Sequence, residues 1–178
     1  FCEKPLVRKF YQAKELYKLA KINRVKLIVS DLSKFYKNKI TFSKKTYIFK
    51  RFKKSPKKMS RNIKRYDLLY RLAYHDIGYI YNNVKTKKLK LITIICSKKI
   101  LQFYLLFNNI KYFFCYDTMR RRKVYSLNKV NLIQKQDILS QMLNDFIIKK
   151  KLPKDNERKS LFIIKTLEKI KKKIDISK

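Results

Sequence analysis

Glycine is almost missing from this sequence: Gly78 is the only one in 178 residues. Glycine lets a backbone take φ > 0 or approach a phosphate closely, so a P-loop or a G-x-G-x-x-G dinucleotide turn is excluded. Histidine is as scarce. Any Ser-His-Asp or Cys-His dyad depends on His75 alone, which sits in an apolar pattern that reads as a strand and is assigned to the core. Acid is short too, with 12 Asp plus Glu against 48 Lys plus Arg. Carboxylates scattered among so many bases pair with them, and no metal-binding pair of acids stands out. The three cysteines, Cys2, Cys96 and Cys115, lie far apart without CxxC spacing and read as free thiols in a reducing compartment. The expectation is a protein with no catalytic residue, no cofactor and no metal. Long hydrophobic runs are missing as well. The most apolar stretch, residues 100–116, is shorter than a membrane span and is broken by Asn108, Asn109 and Lys111, so no membrane insertion is expected. No signal or transit peptide is recognisable.

What is present is positive charge. The formal net charge is +36, which opposes a compact state unless a polyanion neutralises it, and counterion release from nucleic acid rewards the same side chains. The chain is nonetheless 46% hydrophobic and 14% aromatic, enough for a core. Its abundant Lys, Ile, Asn, Tyr and Phe have A/T-rich codons, which points to an A/T-rich and organellar genome. With glycine gone, turns are expected to rest on Asn, at Asn82-Asn83 and Asn108-Asn109.

Along the chain, residues 10–22 place Phe10, Ala13, Leu16, Tyr17 and Ala20 at helical spacing. Residues 25–29 and 46–52 read as strands, and so do 66–77, although LLYRLAY would tolerate a helix. Strand, basic loop and returning strand make an extended hairpin. Residues 89–96 predict a strand, and 101–107 with 110–116 a second hairpin. Residues 137–148 predict a helix with Ile138, Leu139, Met142, Leu143, Phe146 and Ile147 on one face. Residues 160–165 read as a short strand or the first turn of a helix continuing to Ile170, ahead of a basic tail.

The densest charge lies in the loop, residues 46–65. Lys44, Lys45, Lys50, Arg51, Lys53, Lys54, Lys57, Lys58, Arg61, Lys64 and Arg65 are candidate RNA-binding residues, joined by a second clamp of Arg120, Arg121 and Arg122. Lys and Arg neutralise phosphates, and interleaved rings such as Tyr47, Phe49 and Tyr66 can stack on bases or fill the hairpin core.

These residues resemble the small-subunit ribosomal protein ten family. Ala13-Lys14-Glu15-Leu16 followed by Ala20-Lys21 is similar to its first helix. Ser43-Lys44-Lys45, Ser55-Pro56, Lys57-Lys58 and Ser60-Arg61 follow the order of its loop motifs, with Arg71-Leu72 at the family spacing. Asp67, Leu68 and Leu69 depart from it. The resemblance implies an α+β fold, two helices packed on a mixed sheet with a long basic hairpin loop, plus an insertion or extension. Residues 1–77 would be the body, 78–135 a strand-rich insertion, and 136–178 the helix and final strand that complete the body. The implied function is structural: an rRNA-binding component of the head of a mitochondrial small ribosomal subunit. Its partners would be small-subunit ribosomal RNA and ribosomal proteins three, nine and fourteen, in the mitochondrial matrix. The alternatives are another organellar RNA-binding protein or a membrane-associated accessory subunit of a respiratory complex.

Overall fold

A computed structural model describes residues 1–30, 45–52, 66, 68–84, 90–97, 99–107, 109–120, 124–132, 138–149 and 155–176. Helix α1 is Phe10–Ile22, as its spacing predicts, and it buries Ala13, Tyr17 and Ala20. Leu16, placed on the same face by sequence, is exposed. Strand β1 is Thr46–Phe52. The chain after the basic loop is helical, not a returning strand. Helix α2 begins with a π-wound turn, Leu69–Ala73, and continues as Tyr74–Val84. Its buried residues Leu69, Tyr70, Ala73, Tyr74, Ile77, Ile80, Tyr81 and Val84 recur every three or four positions, the period of a helix face. Among the described residues no strand is left to close the expected hairpin. Asn82-Asn83, expected in a turn, lies in the last turn of α2.

The sheet is mixed and six-stranded among the described residues, in the order β2-β3-β4-β1-β5-β6. Strands β2 Lys90–Cys96, β3 Ile100–Phe107 and β4 Ile110–Asp117 form an antiparallel run. Phe107 pairs with Ile110, and Asn109 takes φ 64, so the expected Asn turn of this hairpin is present. Strand β1 then pairs parallel to β4 and antiparallel to β5, Val124–Leu127, which turns into β6, Val130–Asn131. The β5–β6 turn uses Asn128 and Lys129 at φ 47 and 71 where glycine would be usual. Asn128 also receives the Ile48 N–H on its Oδ1 at 2.8 Å, which ties the turn to β1.

Helix α3 is Ile138–Leu143 with a π-wound end, Asn144–Ile148, where sequence places a helix. The expected final strand at 160–165 is instead part of a long helix, α4 Asn156–Ile176. Residues 25–29 form no strand beyond a single parallel bridge between Val29 and Cys2. Asn156 clamps that bridge, accepting the Val29 N–H at 2.9 Å and donating to its carbonyl at 2.8 Å. The fold class is α+β with a mixed sheet, as expected. Four helices rather than two accompany the sheet among the described residues.

One face of the sheet is covered. Along β3 burial alternates, so Leu101, Phe103, Leu105 and Phe107 point into the core. Phe103, Phe114 and Phe49 form a stacked row across β3, β4 and β1, with ring centroids 4.7 and 4.8 Å apart. Tyr79 of α2 meets Phe49 edge-on. Helix α4 packs on α2, α1 and β2 and adds Ile163, Ile164, Leu167, Ile170 and Ile174 to the same core. Phe114 is the middle of the row and is fully buried. Phe114→Ala is expected to cost about 3–5 kcal/mol in chemical denaturation. Phe113→Ala, on the half-buried opposite face, is expected to cost clearly less, and equal costs would contradict this layering.

Candidate functional site

The registers of three adjacent strands place one polar row on the covered face. Arg51 of β1 pairs with Tyr116 of β4 on one side and Tyr125 of β5 on the other. The row directly below it is the phenylalanine stack. The helix above supplies Asp76, whose side chain has no solvent exposure. Its carboxylate accepts from Arg51 Nε at 3.0 and 3.1 Å and from Nη2 at 2.7 Å. It also accepts from Tyr116 Oη at 2.9 Å and Tyr125 Oη at 2.8 Å. The Arg51 guanidinium lies 3.6 Å from the Tyr125 ring centroid, a cation–π contact on top of the hydrogen bonds. Burial, followed by the nearby Asp76 charge, holds the Tyr116 phenol well above its ordinary range, so it remains a donor.

This network fixes α2 against the sheet and with it His75, the residue before Asp76. His75 is buried, and its Nδ1 has no hydrogen-bond partner among the described residues. Burial, then the positive charges of Lys4, Arg51 and Lys159, hold the imidazole well below its ordinary value of 6.5. Lys4 arrives from the N-terminal segment, where the Lys4–Pro5 peptide is cis. Its Nζ donates to the carbonyl of Arg71 at 2.6 Å, in the turn of α2 that precedes His75. Burial, then the Arg51 charge, push the Lys4 amine down to about 8. The site thus places an amine of lowered proton affinity near a buried, neutral imidazole.

Of the candidate RNA-binding residues, the structure describes Lys45, Lys50, Arg51 and Arg120. Arg51 is turned inward onto Asp76, because the alternation of β1 puts positions 47, 49 and 51 on the covered face. Lys50 is exposed on the other face, and Lys45 is exposed at the start of β1. Arg120 pairs with Asp117 at 3.2 Å and lies over the Phe52 ring at 4.9 Å. Lys44, Lys53, Lys54, Lys57, Lys58, Arg61, Lys64, Arg65, Arg121 and Arg122 lie outside the described residues, and so does most of the basic loop.

No family model matches the chain, and no curated protein matches it. Solved structures do share its fold. UDP-N-acetylglucosamine 3-dehydrogenase GnnA from Acidithiobacillus ferrooxidans matches with a TM-score of 0.68 at 9% identity, over 94% of this chain and 67% of that one. A dehydrogenase (MviM) from Clostridium difficile matches with a TM-score of 0.67 at 16% identity, over 96% and 70%. The WlbA (WbpB) dehydrogenase from Thermus thermophilus, solved with NAD and UDP-GlcNAcA, matches with a TM-score of 0.70 at 9% identity, over 93% and 62%. The chain therefore spans about two thirds of the length of the structures it matches.

The dehydrogenase fold overturns the resemblance to ribosomal protein ten. That resemblance rested on short basic and Ala-Lys motifs, which charge and a helix face supply in many folds. The expected rRNA-binding role goes with it, and so do the alternative RNA-binding roles, the ribosomal RNA and protein partners, and the reading as a non-enzyme.

His75 gives a direct test of the site's electrostatics. The folded state favours neutral imidazole, so below pH 6.5 the unfolded chain binds more protons than the folded one, down to the lowered folded pKa. The stability due to neutral His75 is complete above that window and is lost as the pH falls through it. In urea denaturation, wild type should lose stability relative to His75→Gln as the pH drops below about 6.5. A difference that does not change with pH would contradict the assignment.

Proposed function

We propose that this chain carries the proton-transfer site of a sugar oxidoreductase of the Gfo/Idh/MocA type. The observation that carries the reading is the Lys4 amine, pushed down to about 8 and held on the α2 backbone one turn before buried His75. Oxidation of a secondary alcohol to a ketone requires a base for the hydroxyl proton, and reduction requires an acid for the carbonyl oxygen. The neutral Lys4 amine takes that proton in one direction, and its ammonium returns it in the other. The His75 Nδ1 is buried away from solvent, so the imidazole stays neutral near the amine rather than meeting that oxygen. Asp76, touching neither, positions His75 through the Arg51, Tyr116 and Tyr125 network. The fold neighbours support the substrate class, since one is a UDP-N-acetylglucosamine dehydrogenase and another was solved with UDP-GlcNAcA.

Those neighbours also imply a nicotinamide cofactor. The residues of this chain do not fit one. A pyrophosphate is cradled by a glycine-rich turn at a helix N-terminus, and the sole glycine, Gly78, is buried in the middle of α2. Nor could any group of His, Cys, Asp and Glu among the described residues hold a metal. The reading accordingly concerns the proton and its oxygen.

Binding of UDP-N-acetylglucosamine at pH 8 should exchange a proton with Lys4, so the calorimetric binding enthalpy of wild type should change with the ionisation enthalpy of the buffer. Lys4→Met should lose that buffer dependence. A buffer dependence unchanged in Lys4→Met would contradict the reading.

A further inference from the structure

Asn156 is the first residue of α4, yet both hydrogen bonds of its side chain go to Val29, 127 positions away. Its own helix makes little use of it. The carbonyl of Asp155 accepts the Lys159 N–H at 2.9 Å and so begins the helical bonding, and asparagine has a low helix propensity. Val29 is the centre of the parallel bridge to the N-terminal segment. Cys2 donates its N–H to the Ile28 carbonyl and accepts the Ser30 N–H, each at 2.8 Å. The N–H and C=O of Val29 itself point to the other side, where a strand would present its neighbour with the same two groups. No strand meets them there among the described residues. The buried Asn156 amide takes that strand's place, because its Oδ1 and Nδ2 supply one acceptor and one donor at the right spacing.

Cys2 is two residues from Lys4, and its two backbone bonds hold the chain on that side of the amine. On the other side Leu6 and Val7 are only partly buried against the core. We infer that Asn156 is a positioning residue: by fixing Val29 it fixes Cys2, and so sets how deeply the Lys4 side chain enters the site. The charged groups that face Lys4 are Glu3 of its own segment, Arg51 of β1, and Arg71 and Asp76 of α2. None of them belongs to α4, and asparagine carries no charge. Asn156 therefore reaches the amine only through the place of the segment. A neutral substitution there that alters the titration of Lys4 does so by moving it. The inference rests on the proton-transfer reading for what Lys4 does, but its test needs no substrate.

Lys4 of the full chain is titrated by competitive labelling with acetic anhydride, read on the Lys4 peptide by mass spectrometry. The wild-type midpoint should lie at about 8. Asn156→Ser keeps a residue accepted at helix starts but is too short to bond both backbone groups of Val29. Where circular dichroism shows this variant folded, its Lys4 midpoint should rise by about one pH unit or more, toward the ordinary 10.5, as the amine returns to water. Lys21→Gln removes the exposed Lys21–Glu157 ion pair that also ties α1 to α4, and it should leave the midpoint in place. The inference is overturned by an unchanged midpoint in Asn156→Ser or by an equal shift in Lys21→Gln. If Asn156→Ser does not fold, hydrogen exchange in wild type decides. The amides of Cys2, Val29 and Ser30 should then open together, and a Cys2 amide that exchanges far faster than that of Val29 overturns the inference. A shifted midpoint in a protein whose UDP-N-acetylglucosamine binding exchanges no proton with Lys4 leaves the Asn156 anchor standing and removes the proton role of Lys4.

Discussion

The architecture depends on one buried carboxylate. Asp76 on α2 collects a guanidinium and two phenols, each from a different strand. Those three strands are adjacent, and the three donors share one register row. A carboxylate buried without such partners would be strongly destabilising. The helix can therefore sit on the sheet in one position, because sliding it by a residue would strand both the acid and the arginine. Hydrophobic packing alone would tolerate such a slide more easily, since the phenylalanine row below presents a nearly uniform apolar surface. The polar row supplies the register that the apolar row leaves open.

That register matters because it also fixes His75, one residue away. His75 precedes Asp76, and Arg71, whose carbonyl holds Lys4, lies about one turn earlier. The N-terminal segment is fixed at the other end by the Cys2–Val29 bridge and by Asn156 at the start of α4. Lys4 therefore enters the site from a segment anchored by a different helix. Arg51 acts twice in this arrangement. It neutralises Asp76 directly, and its charge lowers the proton affinity of both Lys4 and His75. Burial is the larger influence on both groups, and the Arg51 charge adds to it.

Much of the fold was legible in the sequence. The spacing of α1, the strand at 90–96, the Asn-turned hairpin and the helix at 138–148 are all present. At α2 and α4 a strand was read first, with a helix left open, for related reasons. The window over α2 ended at Ile77, where LLYRLAY is apolar almost throughout; carried on to Ile80, Tyr81 and Val84, the helical period is plain. In α4 the lysines of KIKKKID suggested a solvated tail, although Ile170 and Ile174 continue the buried stripe through them. The site was hidden by an expectation about residue type. Histidine and paired acids were sought, while Lys4 was counted only as charge, and its lowered proton affinity arises from burial that a sequence does not display. Net charge misled most. It governs solubility and non-specific association rather than fold, and in an A/T-rich gene lysine accumulates wherever solvent permits.

The central claim is that the Arg51–Asp76 pair locks α2 to the sheet, and a double-mutant cycle in denaturant unfolding tests it most directly. Arg51→Met and Asp76→Leu should each cost about 3–5 kcal/mol, because each leaves the other charge buried alone. The double variant should cost less than the sum of the two by about 2 kcal/mol or more. Additive costs would show that the two side chains act independently and that the register of α2 is set elsewhere.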